Sequence, residues 1–159
     1  MAQPHQQGGA RTNKGAQRGI TTGRKLPNAP SHDLWIRPLL HCLADEPHHR
    51  LFTATRQPPL FIVYDMDTGK VVASLPCVGV NSDMSLDVAR KRIYVTGSDT
   101  ATVFAQRDAD HYEHIAEVPT AYRAKSSIFV PQLNRLYIAD SAGKGKPDAK
   151  MALQIFEPQ

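Results

Sequence analysis

Three stretches of this 159-residue chain carry the same residue classes in the same order. They are Arg50-Leu51-Phe52-Thr53-Ala54, Arg92-Ile93-Tyr94-Val95-Thr96 and Arg135-Leu136-Tyr137-Ile138-Ala139. Each reads arginine, aliphatic, aromatic, strand-former, small, and the arginines fall 42 and 43 residues apart. A second set, aliphatic then aromatic, follows each of them at Val63-Tyr64, Val103-Phe104 and Ile155-Phe156. A third set occurs twice, at Val72-Ala73-Ser74-Leu75-Pro76 and Ile115-Ala116-Glu117-Val118-Pro119. Agreement of several sets at one period identifies an array of units, each too small to bury its apolar face alone.

The runs are short, rich in Val, Ile, Tyr and Phe, and separated by turn residues, which is strand chemistry. Within the first repeat, Asp65-Met66-Asp67-Thr68-Gly69-Lys70 lies between two of the runs. Gly69 can supply the positive φ of a bulged hairpin, and aspartates favour turn entry. The acidic spacing superficially suggests a calcium loop, but the later ligands and the closing glutamate are missing, so a hairpin is expected. Four short strands per repeat, joined as a meander, make the blade of a β-propeller. The expected inner strands are near 41–45, 83–87 and 126–130, and the second strands at 50–55, 92–96 and 135–139. The third are at 60–65, 102–106 and 152–157, and the outer ones at 70–75 and 114–118. The fold class is therefore all-β: a partial propeller within residues 33–159, with repeats at 41–82, 83–125 and 126–159. Its three antiparallel blades are four-stranded, except that the last lacks its outer strand. Leu34 to Leu40 (LWIRPLL) is a candidate outer strand, with Pro38 confining it to an edge.

Arg92-Ile93-Tyr94-Val95-Thr96-Gly97, together with Asp65 to Pro76 (DMDTGKVVASLP), resembles the YVTN-type β-propeller repeat. That repeat is named for a Tyr-Val-Thr-Asn strand, and its blades carry an Asp-Thr-Gly-Lys hairpin. The resemblance covers residues 41–159; Gly97 departs from it where the motif has Asn, and the other two repeats diverge further. It implies a likeness to lactonase-like and quinoprotein-dehydrogenase-like propellers, whose members are often periplasmic or surface-associated. It implies architecture more than activity, because propellers host many unrelated functions. Propellers close with about four to eight blades, so three suggest the C-terminal part of a longer one. Open blade faces would then favour self-association.

Charge is divided unevenly along the chain. Residues 1–32 hold Arg11, Lys14, Arg18, Arg24 and Lys25 and no acid, whereas 33–159 hold 14 Lys/Arg against 15 Asp/Glu. The first segment is poor in large apolar residues, and is expected to be a disordered basic tail. Five scattered charges without interleaved aromatics give no specific nucleic-acid signal. An organelle transit peptide is a further weak reading of the tail. There is no apolar run of a secretory signal and none long enough to span a membrane, so the compartment stays open. Cys42 and Cys77 fit no zinc spacing and are read as small buried hydrophobes, in preference to a disulfide or a reactive thiol.

No catalytic constellation stands out, and neither a cofactor nor a metal is expected. His48-His49, His111 and His114 lie on turns or strand starts, where neighbouring positions diverge. Asp108 and Asp110 read as a solvated turn. The second-to-third strand loops and the blade-to-blade loops share one rim. Ligand-binding candidates there are Asn81, Asp83, Asp99, Tyr122, Arg123 and Lys125, with Arg56, Ser82, Ser98, Lys144 and Lys146 nearby. Arg123 and Lys125 beside Tyr122 could hold an anion. Arg50, Arg92 and Arg135 are expected to be structural turn clamps, pairing with Asp45 and Asp87, five residues before the first two, or with a carbonyl of the preceding turn. The expected function is a non-catalytic scaffold for an unidentified protein or small molecule. The alternative is part of a lactonase-like or quinoprotein-like enzyme whose site needs further blades.

Overall fold

A computed structural model describes residues 41–122, 124, 126–140 and 152–159. The basic tail and Leu34–Leu40 lie outside the described residues, as do Arg123, Lys125, Lys144 and Lys146. Eleven strands form three antiparallel meanders. The first blade is β1 (Cys42–Asp45), β2 (Arg50–Arg56), β3 (Pro59–Asp65) and β4 (Val71–Pro76). The second is β5 (Asp83–Asp87), β6 (Arg92–Thr96), β7 (Thr100–Gln106) and β8 (Tyr112–Pro119). The third is β9 (Ser126–Val130), β10 (Arg135–Ala139) and β11 (Leu153–Phe156). No α-helix occurs among the described residues. The innermost strands β1, β5 and β9 lie side by side in that order, giving an open, propeller-like stack.

Alternation along each strand decides which blade it touches. From the first blade, Phe52, Ala54, Phe61 and Val63 pack on Met84, Ile93, Val95 and Phe104 of the second. Phe61 stacks on Phe104 with centroids 4.5 Å apart. The opposite face of the second blade presents Tyr94, Ala101 and Val103 to Phe129, Leu136 and Ile138 of the third. The second blade is thus covered on both sides, which is why β6 and β7 read as nearly continuous apolar runs.

The hairpins follow from local chemistry. Gly69 takes φ 71°, the β3–β4 ladder shifts register between Val63 and Tyr64, and Asp65 Oδ1 accepts from the Thr68 amide and hydroxyl, both at 2.7 Å. Each matched arginine is preceded by a residue in the left-handed region: His49 (φ 52°), Lys91 (φ 53°) and Asn134 (φ 53°). Two of these are not the glycine or asparagine that tolerates this conformation best. The turn is therefore fixed by the ladders on either side of it.

The arginine clamps differ in part from expectation. Arg50 does not pair with Asp45. Its Nη1 donates to Asp65 Oδ2 (2.9 Å), directly across the ladder, and Nη2 to Asp110 Oδ1 (2.6 Å) of the second blade. Its Nε also donates to the Ala109 carbonyl at 3.1 Å. Asp45 instead accepts from Gln106 Nε2 (2.6 Å) in the second blade and meets His48 Nδ1 at 2.8 Å. Arg92 does not pair with Asp87, which takes the Arg90 amide (3.1 Å) and guanidinium (3.2 Å). Arg92 Nη1 reaches the Gln159 carbonyl of the third blade at 2.7 Å, and Arg135 holds Glu157 across its own ladder. The reason is directional: the arginine opens its strand on the face turned to the next blade, so Arg50 and Arg92 bridge blades. Arg50 also reaches back to the turn before its strand, donating from Nη1 to the His49 carbonyl at 3.0 Å.

The cysteine reading is half corrected. Cys77 is partly buried against the first core cluster, and burial pushes its thiol up to about 12. Cys42 is exposed, because it shares the Thr53 side of β1–β2 and so points away from the second blade. Both thiols are free.

Gly97 answers to a close approach. A Cβ there would stand 2.8 Å from the Gly79 carbonyl oxygen and from both Val78 methyls, in the segment joining the first and second blades. Gly97→Asn should cost about 1–3 kcal/mol by overpacking. Urea denaturation measures this, and an unchanged midpoint would show that the linker yields freely. Arg50→Gln should lower Tm by roughly 3–5 °C, the shift that about 1 kcal/mol produces in a folded region of about 120 residues. Arg92→Gln, which removes a single carbonyl contact, should lower it by less than half as much. Equal losses would contradict the inter-blade roles assigned above.

Candidate functional site

The rim candidates gather around the linker between the first and second blades. Asn81 is buried, and its Nδ2 donates to the carbonyls of Thr55 (2.6 Å) and Val78 (3.2 Å), so its amide nitrogen is committed to the fold. Arg56 Nε donates to the Asn81 carbonyl at 2.8 Å, and its Nη2 to Ser82 Oγ at 3.1 Å. The linker is tied to the second blade by the Val78 amide, which donates to Thr102 Oγ1 at 2.9 Å. Asp83 opens β5. Its Oδ1 accepts from the Met84 amide and its Oδ2 from the Ser127 amide of the third blade, both at 2.8 Å. His41 Nδ1 stands 3.5 Å from Asp83 Oδ1, so this carboxylate touches all three blades at the entry to their inner strands.

Asp99 and Tyr122 are exposed, and the Asp99 carbonyl accepts from the Thr120 amide at 2.8 Å. This contact brings the β6–β7 loop to the linker between the second and third blades. Asp99 sits at φ 73°, and its side chain is free to face solvent. The rim therefore joins Asp83 with inter-blade hydrogen bonding and sets Asp99 near the Tyr122 segment.

The histidines meet carboxylates one to one. His49 meets Asp67 at 2.9 Å, His111 meets Asp108 at 2.8 Å, and His114, which lies within β8, meets Glu117 at 3.1 Å. Asp108 is held below the usual carboxylate range by the Asp110 amide and by His111. Among the described residues no group of three or more His, Cys, Asp or Glu side chains is placed to hold a metal ion. Asp110 is more than a solvated turn residue, since it closes the Arg50 bridge.

One concave feature was not legible in the sequence. A cavity of about 440 Å³ lies between the second and third blades, with Arg92, Tyr94, Ala101, Ile115, Val118 and Phe156 among its walls. Its origin is visible by comparison with the interface one blade earlier. There, Phe61 occupies the ladder position that Ala101 takes in the second blade, four residues after the matched arginine on the partner strand. Tyr112 of β8 covers Phe52 and Phe61 with ring centroids 5.7 and 5.9 Å away. The second-to-third interface has alanine for that phenylalanine.

The polar groups differ in parallel. Arg50 has two carboxylates, whereas Arg92 faces Ala105 across its ladder and donates to the Gln159 main-chain oxygen. Phe52 is replaced by Tyr94, whose hydroxyl is buried with no hydrogen-bond partner among the described residues. Burial pushes that phenol up, with Asp87 acting in the same sense and Arg92 and Arg90 opposing, so it remains a donor at neutral pH. Glu157 also lines the cavity, but its charge is taken by Arg135.

No protein-family model matches this sequence, and no curated protein matches it. Solved structures do. The chain is similar to the Kuenenia stuttgartiensis hydrazine synthase at a TM-score of 0.58 and 15% identity, over 77% of this chain and 33% of that one. It thus spans about a third of the chain it matches. At that identity the likeness concerns architecture alone, a propeller-like arrangement of antiparallel sheets.

Proposed function

We propose that this chain is a non-catalytic propeller module, built from YVTN-type repeats, that acts as an interaction scaffold. The DMDTGK hairpin and the RIYVTG strand support the repeat type, as their residues adopt the hairpin and second-strand geometry that such a blade requires. The observation that carries the scaffold reading is the outward face of the third blade. Ile128, Tyr137 and Ile155 stand in one cross-strand row, and Leu153 is two residues from Ile155 on the same face. Ile128 is 61% exposed, Leu153 59% and Ile155 52%. The reverse face of the same sheet carries Phe129, Leu136 and Ile138, all buried against the second blade.

Both apolar faces of the second blade are covered by neighbouring blades. A second copy of this chain offers the third blade a like-sized apolar face, and a two-fold arrangement would bring each row against its twin. Among the described residues β11 is the edge strand of its sheet, which adds backbone donors and acceptors beside the row. The rim around Asp83, Asp99 and Tyr122, with Arg123 and Lys125 in the same linker, is the proposed surface for smaller ligands. Within this proposal residues 1–32 are a basic tail and 33–159 the propeller domain.

Self-association should appear in sedimentation velocity as a concentration-dependent rise in mass. The double substitution Ile128→Lys with Ile155→Lys should abolish it while leaving the melting temperature within a few degrees, since neither side chain contributes to a buried cluster. A chain that stays monomeric over the whole range, with the variant indistinguishable from it, would sink the self-association reading.

A further inference from the structure

We propose that the outward face of the first blade is a docking surface for residues 34–40 (LWIRPLL) of the same chain, with Trp35 and Ile36 over Ile62 and Thr53. This surface is separate from the face of the third blade proposed above for a second copy.

Along β2 and β3, Phe52, Ala54, Phe61 and Val63 point to the second blade, so alternation turns Leu51, Thr53, Ile62 and Tyr64 the other way. No described sheet packs on that side, yet Thr53 is 2% exposed and Ile62 7%. An uncovered face behaves differently. On the third blade Ile128 and Ile155 are more than half exposed, and Tyr137 between them, on the central strand, is only partly buried. Ile62 and Thr53 are therefore under cover, and the cover is narrow. Cys42 and Ala44 of β1 share this face through their pairing with Thr53 and Leu51, and both are exposed. A neighbouring blade would bury them, as Met84 at the position of Cys42 is buried in the second. A single stretch of chain over β2 and β3 fits the pattern.

The repeat identifies the stretch. Each linker between blades docks one amide on a polar side chain of the next blade's third strand. Val78 donates to Thr102 Oγ1 at 2.9 Å, and Ala121 to Gln154 Oε1 at 2.7 Å. Val78 and Ala121 each stand 14 residues before a matched arginine, and the same distance before Arg50 is Ile36. Thr102 faces Val95 across its ladder and Gln154 faces Ile138; the equivalent pair in the first blade is Ile62 with Thr53. The receiving side chain is thus polar in the two blades that take a linker amide and apolar in the first, where Leu34, Trp35, Ile36, Leu39 and Leu40 offer apolar surface instead. Residues 1–33 have only Ile20 and Leu26 as large aliphatics after Met1, and residues 141–150 have none. Reach is sufficient. Seven residues extended at ~3.3 Å each span about 23 Å, against roughly 10 Å between β1 and β3 in one sheet.

Trp35 is the sole tryptophan, so fluorescence of the full chain reads the contact directly. Its emission should be blue-shifted from that of the chain in urea, with acrylamide quenching severalfold weaker. Ile62→Asp should shift the emission to the red and restore quenching, whereas Ile128→Asp should change neither. Because a charge at Ile62 can also loosen the sheet, position is tested separately by cross-linking. In a chain carrying Cys42→Ser and Cys77→Ser, the pair Ile36→Cys with Ile62→Cys should form an intramolecular disulfide on oxidation with copper phenanthroline. The pair Ile36→Cys with Ile128→Cys should form none. Trp35 quenched as freely in buffer as in urea would overturn the proposal. So would the absence of the first disulfide, its equal abundance in both pairs, or its formation only between two chains, which would make the occupant a second copy.

Discussion

Every sheet in this molecule has two faces, and an apolar face must be covered. The stack of Phe61 on Phe104, within the cluster that Phe52, Val63, Ile93 and Val95 complete, meets that requirement between the first two blades. The remaining features depend on it. It sets the spacing at which Arg50 can reach Asp110, and at which Tyr112 can close over the ring pair. A buried aromatic cluster of this kind contributes more than any single hydrogen bond at its margin, because removing one phenylalanine from such a core typically costs about 3–5 kcal/mol.

The polar bridges then select register and orientation. Asp45 takes Gln106 from the neighbouring blade, Asp83 takes the Ser127 amide from the next, and Asn81 fastens the linker to Thr55. Each spans two blades or a blade and its linker. A slip of one residue in any inner strand would turn these groups to the opposite face and leave buried donors and acceptors unpaired. The bridges also show how repeats diverge. The matched arginine is kept in all three, while its partners change from two carboxylates, to a carbonyl, to the single Glu157. The second-to-third interface has the fewest of these charged contacts and also the cavity.

Much of this was legible before any coordinates. Strand positions follow the repeat to within one or two residues, because alternation and turn chemistry are local properties. The Asp65–Lys70 hairpin was likewise readable from Gly69. The inter-blade partners of Asp45, Arg50 and Arg92 were not, since equal spacing along the chain suggested a contact within one turn. The real partners lie 61, 59 and 60 residues away for Asp45–Gln106, Arg50–Ala109 and Arg50–Asp110. The left-handed turns at His49 and Lys91 carried no glycine signal. Asn81 looked like a surface polar residue and proved to be a buried one.

The sequence by itself determined the unit: its strands, their order, their turns and the pattern of apolar positions. These depend on neighbours a few residues apart, so a linear reading suffices. Only the tertiary structure decided what lies between units. Whether Ala101 leaves a space, whether Arg92 finds a carboxylate and whether Cys42 is covered depend on which face of which blade meets the next. That meeting is governed by packing between residues distant along the chain, and the period of the repeat does not encode it.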